Sequence, residues 1–292
     1  MELFRTIVNC SPSREKIGYE TPILMMGSCF AENLGAKLQQ LKFNVVVNPF
    51  GIVYHPAAVA QQLERIITGK PYTADDLQQD KELWHSFDHH GRFSHPDIST
   101  CIRQINSELQ QAHDQLSRSE WFLVTFGSAW AYRLNSNGRI VANCHKFPAS
   151  AFERIRFDVD EIYAIWAETI AKLRHFNPAI RIIFTLSPIR HLRDGAHENQ
   201  LSKSTLLLAI DRLNRKIENT GYFPAYEIVL DELRDYRFYA ENMTHPASVT
   251  INYIWQRFCE IYMTEDTLQT IKTVEDAVKA AAHRPIHNTS EL

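Results

Sequence analysis

Several classes of protein are disfavoured by what this sequence lacks. Its longest apolar runs, such as WFLVTF at 121–126, are far shorter than the roughly 20 residues that a membrane-spanning helix needs. No polybasic run occurs and the net charge is −3, so we expect neither nucleic acid nor a membrane as a partner. The N-terminal stretch MELFRTIVNCSPSREK lacks the long apolar region of a signal peptide, and we expect none.

Cysteine is scarce as well, and its spacing is uninformative for disulfides. There are five cysteines and no CxxC pair. An odd number without paired spacing favours free thiols in a reducing compartment, so the cytoplasm is the expected location. Neither GxGxxG nor a P-loop is present, and no cofactor is expected.

Histidines are concentrated in the segment HSFDHHGRFSH. His85 and His89 have the i, i+4 spacing that metal ligands use on a helix. However, Gly91 and Pro96 would break a helix there, and no HExxH motif occurs. The sequence therefore predicts no metal site.

Five short runs rich in Val, Ile, Leu and Phe are typical of buried strands, because they are continuous rather than alternating. They are ILMMGS (23–28), NVVVNPFG (44–51), WFLVTFG (121–127), RIIFTLSP (181–188) and YEIVLDE (226–232). Helical periodicity is found in the stretches between and after them: 31–42, 56–69, 98–117, 158–176, 199–220, 247–264 and the tail 266–292, which ends in the polar HRPIHNTSEL. This alternation predicts a three-layer α/β fold with a mostly parallel sheet.

Two connections are too long to be simple turns. They span about 70–97 and 128–157, and insertions of this length usually cover or build a site. Within the second, Asn-Ser-Asn-Gly at 135–138 predicts a hairpin turn. No repeat or low-complexity linker divides the chain, so residues 1–292 are expected to form a single domain with two insertions.

The carboxyl ends of parallel strands meet at one edge of the sheet, where ligands bind. We call this the carboxyl edge. It is predicted to carry Ser28, Asn48, Gly51, Gly127, Ser187 and the segment after Glu232. Ser28 stands where the first strand passes into the first helix, so it is either a helix cap or a nucleophile placed beside unpaired backbone N–H groups.

A nucleophilic serine needs a base, and the segment RFYAENMTHPASV offers one. His245 follows the last predicted strand, so it belongs at the carboxyl edge and is a candidate general base for Ser28. The alternative is a surface histidine that precedes a helix begun by Pro246. The residues alone leave both interpretations open.

The segment GSCFAENLG resembles the defining motif of the GSCFA family, which is placed in the SGNH/GDSL hydrolase superfamily. Further resembling blocks are NPFGIVYHP at 48–56, TFGSAWAY at 125–132, NCHK at 143–146, SPIRHLRDG at 187–195, ENQLSKSTL at 198–206 and DYRFYAENMTHPA at 235–247. The resemblance implies a flavodoxin-like sheet of five parallel strands in the order 2-1-3-4-5. It also implies that Ser28 is the nucleophile and His245 the general base.

Two positions depart from the superfamily pattern. The Asp that usually stands three residues before the histidine is replaced by Asn242, which cannot stabilise an imidazolium by charge; Glu241 is an alternative. The resemblance assigns the oxyanion to the N–H groups of Ser28 and Gly51 and to an Asn that is missing after the third strand. Its place would be taken by one of three donors: Ser128, Trp130 or Asn143.

Further residues of the carboxyl edge are candidates for substrate binding. Asn48 and Trp130 belong to this set, as do His145 and Lys146, which suit an anionic group but are equally consistent with an ordered loop. Arg190 and His191 complete it; Arg190 suits a carboxylate or phosphate, or an ion pair with Asp194 or Glu198.

These features predict a serine hydrolase that acts on an ester of a small molecule or carbohydrate, with an O-acyl carbohydrate as one candidate. An O-acyltransferase would use the same Ser/His site with another acceptor. A non-catalytic domain that binds a glycan or an acyl group is the third possibility.

Overall fold

The computed structural model describes residues 5–282. Ten strands lie in this part of the chain: β1 Ile23–Gly27, β2 Val45–Val47, β3 Gln78–Asp80, β4 Leu83–His85, β5 Trp121–Phe126, β6 Trp130–Leu134, β7 Ile140–Val141, β8 Phe152–Arg156, β9 Arg181–Leu186 and β10 Thr220–Phe223. Eight helices accompany them: α1 Cys29–Gln40, α2 Pro56–Thr68, α3 Ile98–Arg118, α4 Val159–Phe176, α5 Gly195–Lys216, α6 Ala225–Glu227, α7 Ser248–Tyr262 and α8 Glu265–Ala282.

The central sheet has the order β2-β1-β5-β9-β10, and its strands are all parallel. Numbered along the chain, these five strands have the order 2-1-3-4-5, so the expected flavodoxin-like arrangement is confirmed. The register pairs Gly27 with Thr125 and Thr125 with Thr185. The carboxyl ends of β1, β5 and β9 therefore lie side by side.

The prediction of the fifth strand was wrong. The strand is β10, and the segment YEIVLDE is instead α6 followed by a π-helical turn, Ile228–Glu232. Pro224 lies between them and cannot donate a ladder hydrogen bond, which explains why the strand stops at Phe223. The buried residues of the helical segment recur at spacings of three and four, as on a helix face.

Capping side chains begin four of the long helices, α1 to α4. Ser28, His55 and Asp97 cap α1, α2 and α3 with their side chains, and Asp158 forms a capping box at the start of α4. Pro56 occupies the first turn of α2, where a missing N–H does no harm. The six predicted helices before the tail are confirmed, with ends displaced by a few residues.

Helices cover both faces of the sheet. Alternate residues of β1 point to opposite sides: Leu24 and Met26 pack with α2, α3, α4 and α5, whereas Ile23 and Met25 pack with α1 and α7. The predicted three-layer α/β architecture is thus confirmed. The helix of the tail ends at Ala282, and the polar stretch at 283–292 lies outside the described residues.

Both long connections contain small sheets. The first holds the β3–β4 hairpin. In the second, β6 pairs with β7 on one side and with β8 on the other, and residues 135–138 join β6 to β7 as predicted. Phe87 of the first connection packs against Val141 and Phe152 of the second, so the two insertions contact each other.

The N-terminal segment crosses to the end of the chain. The N–H groups of Ser13 and Ile17 donate to the carbonyls of Ile261 and Tyr262 at 2.9 and 2.7 Å. Lys16 Nζ also donates to the Ile261 carbonyl, 245 positions later in the sequence. These bonds hold residues 13–17 against the end of α7. Over residues 5–282, no helix combines the length and apolar character needed to cross a membrane.

Candidate active site

Ser28 lies at the junction of β1 and α1, as the sequence predicts. Its side chain is 1% exposed, and its Oγ accepts a hydrogen bond from Phe30 N–H at 3.2 Å. The preceding Gly27 has φ +140°, and a Cβ there would collide with the backbone of Thr125. Glycine is therefore required for β1 to lie beside β5 and turn into α1. In this conformation Ser28 caps α1. A nucleophile in its position would lie beside the N-terminus of α1.

Asn48 follows β2 and is held against Gly27. It has φ +44°, a left-handed conformation that Asn tolerates better than most residues, and it is 2% exposed. Its Oδ1 accepts Gly27 N–H at 2.8 Å, which fixes the orientation of the side-chain amide. The Nδ2 group is buried and has no hydrogen-bond partner among residues 5–282. A buried donor without a partner is costly, and it marks this position as a candidate for ligand contact.

The other candidate donors for an oxyanion are engaged within the protein. Gly51 N–H donates to the Asn48 carbonyl at 2.7 Å, and Ser128 N–H donates to the Tyr54 carbonyl at 3.2 Å. Asn143 donates its backbone N–H to the Phe87 carbonyl at 3.2 Å, and its Oδ1 accepts the N–H of His145 at 2.7 Å. Trp130 differs, since its Nε1 is buried with no partner in the described chain. Its indole also stacks on Arg154, 4.3 Å from the ring centre.

His245 is exposed and lies in the loop formed by residues 240–246, where Asn242 contacts its ring. Asn242 Oδ1 accepts the backbone N–H groups of Thr244 and His245, each at 3.0 Å. The amide Nδ2 must therefore face the imidazole, and it lies 2.9 Å from His245 Nδ1. Since Nδ2 can only donate, the Nδ1 of a neutral His245 is an acceptor and its proton is on Nε2. A histidine in this tautomer cannot accept a proton through Nε2.

Ser28 and His245 are not joined in this conformation. No imidazole within residues 5–282 forms a hydrogen bond with Ser28 Oγ, which accepts Phe30 N–H instead. Ser28 directly follows β1 and is buried. His245 does not follow a strand, because the segment before it is helical; its exposed loop is instead attached to the segment after β9 through Arg190. Their pairing as nucleophile and base remains a prediction.

Arg190 supports the loop that carries His245. Its backbone N–H donates to the Thr244 carbonyl at 3.0 Å, and its Nη1 donates to the Met243 carbonyl at 3.2 Å. The alternative ion pairs do not form, because Asp194 pairs with Arg154 and Glu198 with Arg156.

His191 is turned inward beside the end of β5. Its ring stacks on Tyr54 with centroids 5.6 Å apart, and its Nε2 is buried without a partner among residues 5–282. Burial, with smaller contributions from Lys203 and His245, lowers the pKa of His191 to about 4. The imidazole is therefore neutral near pH 7. A Cβ on Gly127 would approach Tyr54 Cβ to 2.7 Å and His191 Nε2 to 3.4 Å, so these three residues lie in contact.

His145 and Lys146 line a cavity of about 640 Å³ between the two insertions. His145 Nε2 donates to the Ser86 carbonyl at 2.8 Å, and its ring lies 4.5 Å from that of His85. Burial lowers the pKa of His145, which favours the neutral ring. Asp80 and Glu82 also line this cavity, so it combines acidic with basic groups.

The model of the GSCFA family matches residues 22–258. The chain belongs to the GSCFA family. No curated protein matches it.

Solved structures similar to this GSCFA chain include three esterases. A carbohydrate esterase of family 3 from Talaromyces cellulolyticus is 7% identical with a TM-score of 0.39, covering 88% of this chain and 99% of the other. A mutant acetyl esterase with an acetate ion is 7% identical with a TM-score of 0.40, covering 88% of this chain and 99% of the other. An acetyl xylan esterase from the rumen bacterium Butyrivibrio proteoclasticus is 9% identical with a TM-score of 0.39, covering 89% of this chain and 65% of the other.

The sequence places Asn48 at the carboxyl edge as a candidate for substrate binding, and the structure adds its contact with Gly27, the residue before Ser28. Lys203 was not singled out at all, although it is fully buried beneath the carboxyl edge. A signal for it exists in the sequence: Lys203 falls on the same helical stripe as Leu206 and Ile210 of α5, which are buried core residues.

Proposed function

We propose that this GSCFA chain is a serine esterase, with Ser28 as its nucleophile. The observation that carries the proposal is the arrangement of Ser28, Gly27 and Asn48. A hydroxyl lies at the start of α1, and a buried amide donor is fixed beside it by the N–H of the preceding residue. An amide donor and the N-terminus of a helix both stabilise the oxyanion that forms when a serine attacks an ester.

In this mechanism Ser28 Oγ attacks the acyl carbon, and its proton passes to His245. The carbonyl π electrons move to the oxygen, which Asn48 Nδ2 and the backbone N–H of Ser28 would hold. Collapse of the tetrahedral intermediate expels the alcohol, which takes the proton from His245, and leaves an acyl-Ser28 ester. Water then attacks the acyl-Ser28 ester through the same steps, with His245 again taking and returning a proton, and releases the carboxylic acid. Asn48 would thus fill the role of the amide missing after β5.

The base is the weaker half of this site. His245 must turn toward Ser28, and its proton must move from Nε2 to Nδ1 before Nε2 can act as the base. Asn242 favours the opposite tautomer. In a Ser-His-Asp triad, replacing the Asp by Asn costs about 10⁴ in kcat for this reason. We therefore expect slow hydrolysis of simple esters. An O-acyl carbohydrate is our candidate for the natural substrate class, and an O-acyltransferase would use the same residues.

The test is covalent labelling with a fluorophosphonate, followed by mapping of the modified residue, together with hydrolysis of p-nitrophenyl acetate. We expect label on Ser28 and ester hydrolysis that Ser28→Ala abolishes. Cys29→Ala is the matched control, because it changes the adjacent residue without removing the hydroxyl. Equal hydrolysis by the wild type and Ser28→Ala would contradict the assignment.

A second candidate function is ligand binding without catalysis. It is favoured by one observation, the exposed His245 in a tautomer that cannot serve as the base. On this hypothesis Ser28 is only the cap of α1. Absence of label at Ser28, combined with binding of an acetylated sugar in calorimetry, would favour it over the esterase.

A further inference from the structure

One face of α5 holds the loops of the carboxyl edge. Asn199, Ser202 and Lys203 are spaced i, i+3, i+4 and therefore project from the same side of the helix. Asn199 Oδ1 accepts His191 N–H at 2.9 Å, and Ser202 Oγ accepts Ala129 N–H at 2.8 Å. All three side chains are buried. The loops after β5 and β9 are thus both attached to α5.

Lys203 joins these two loops directly. It is 1% exposed, and its Nζ donates to the carbonyls of Gly127 and Ser187, each at 2.7 Å. These are the first residues after β5 and β9. No carboxylate within residues 5–282 forms an ion pair with Lys203, and the Tyr226 ring lies 5.8 Å from Nζ. A buried ammonium held only by carbonyls is unusual, because lysine is rarely buried without an acidic partner.

The groups facing Lys203 do not titrate near neutral pH. Burial raises the pKa of Cys29, on α1, and the charge of Lys203 only partly opposes this shift. His191, after β9, has a pKa of about 4. Burial raises the pKa of Tyr226, on α6, to about 12. Burial lowers the pKa of Lys203 itself to about 7, so within this set it is the group that changes charge between pH 6 and 8.

We propose that Lys203 is a positioning residue of the Ser28 site. It joins the loops after β5 and β9, and it directs a positive charge toward the oxyanion that forms at Ser28. The inference rests on the proposed esterase function. A charge fixed in a water-excluded position needs no reorganisation when the oxyanion forms, so it acts on the transition state more than on the bound ester. Its effect therefore belongs in kcat rather than in KM.

Three variants separate the effect of the Lys203 hydrogen bonds to the two loops from the effect of its charge. Lys203→Gln keeps N–H donors for the two carbonyls and removes the charge, Lys203→Arg keeps the charge at all pH values, and Ser202→Ala is the matched control on the same helix face. Hydrolysis of p-nitrophenyl acetate is measured from pH 5.5 to 9. In the wild type we expect kcat to decline above pH 7, as Lys203 loses its proton.

Lys203→Gln should lower kcat at pH 6.5 by at least about tenfold, since losing a direct oxyanion donor typically costs 10²–10³. It should also lose the decline above pH 7. Lys203→Arg should retain activity to pH 9. Ser202→Ala removes an uncharged attachment of the same loop, so it should lower the rate at every pH and keep the decline above pH 7. A folded Lys203→Gln with the wild-type rate and profile would overturn the proposal, as would the same decline above pH 7 in Lys203→Arg.

A second measurement does not depend on ester hydrolysis. In the unfolded chain the lysine keeps its proton up to its ordinary pKa of 10.5, whereas the folded chain loses it near pH 7. Between these values the unfolded state binds more protons, so the free energy of unfolding rises with pH. The wild type should gain stability relative to Lys203→Gln between pH 7 and 10, measured by urea denaturation. A constant difference would overturn the charge assigned to Lys203. An unreactive Ser28 in the wild type would instead contradict the esterase.

Discussion

Ser28 and His245 lie in opposite surroundings. Ser28 is buried at a strand-helix junction, where Gly27 is fixed by Thr125 on one side and by Asn48 on the other. His245 is exposed, and the hydrogen bonds of its ring come from Asn242 and Thr244 of the same loop. The sheet therefore determines the position of Ser28, the proposed nucleophile, whereas a loop attached mainly through Arg190 determines the position of His245, the proposed base. Changes at the first position should act on the fold and the chemistry together, and changes at the second on the chemistry alone.

The largest expected effect is at Gly27. Gly27→Ala places a Cβ against the Thr125 backbone in a conformation with φ +140°, and it should lower the free energy of unfolding by at least about 3 kcal/mol. Gly91→Ala is the control, because a Cβ there meets no atom within 4 Å. Urea denaturation measures both. A similar small loss in the two variants would mean that the junction is less constrained than the structure indicates.

Asn48→Asp should affect the chemistry strongly. The aspartate retains an oxygen for Gly27 N–H and replaces the unpaired Nδ2 donor by an acceptor. We expect kcat to fall by about 10²–10³, equivalent to about 3–4 kcal/mol in the barrier, with KM changed much less. Steady-state kinetics with p-nitrophenyl acetate provide the test. An unchanged kcat in a folded variant would show that Asn48 does not stabilise the oxyanion.

Asn242→Asp should raise activity. A carboxylate in this position would accept a hydrogen bond from the Nδ1–H group of His245 and so favour the tautomer in which Nε2 is a base. We expect kcat to increase by roughly tenfold or more, on the scale of the 10⁴ lost in the reverse substitution of a triad. Glu241→Asp is a control at the neighbouring position. A decrease in rate would indicate that His245 does not act through Nε2.

The smallest effects concern stability and compare the two residues directly. His245→Ala should change the free energy of unfolding by less than about 0.5 kcal/mol, because the side chain is exposed. Ser28→Ala should cost about 1 kcal/mol, because it removes the cap of α1. Parallel urea titrations distinguish them. Equal losses would show that the loop is as firmly attached as the junction.

The fold was predictable to the extent that its strands are buried on both faces. Continuous apolar runs located β1, β2, β5 and β9, because helices cover both sides of the central strands. The run at 226–232 is equally rich in β-branched residues, but its buried positions have helical spacing. The fifth strand, β10, has the sequence TGYF. It is short and contains a glycine, so no apolar run indicates it.

The site was predictable only as far as it depends on strand ends. Ser28 and Asn48 were placed at the carboxyl edge because each follows a strand. The contact between Asn48 and Gly27 joins residues 21 positions apart through a left-handed turn, which periodicity does not reveal. The tautomer of His245 depends on which atom of Asn242 faces the ring, and that is decided by two backbone N–H groups of the loop.

The attachment of residues 13–17 to the end of α7 has a consequence for how this protein is made. At ribosomal rates of about 5–20 residues per second, Lys16 emerges roughly 10–50 s before its acceptor Ile261 is synthesised. Throughout that interval the segment has no native partner, while the sheet behind it is being built. Residues 13–17 are therefore among the last parts of this domain to reach their final position, because they must wait until α7 has been synthesised.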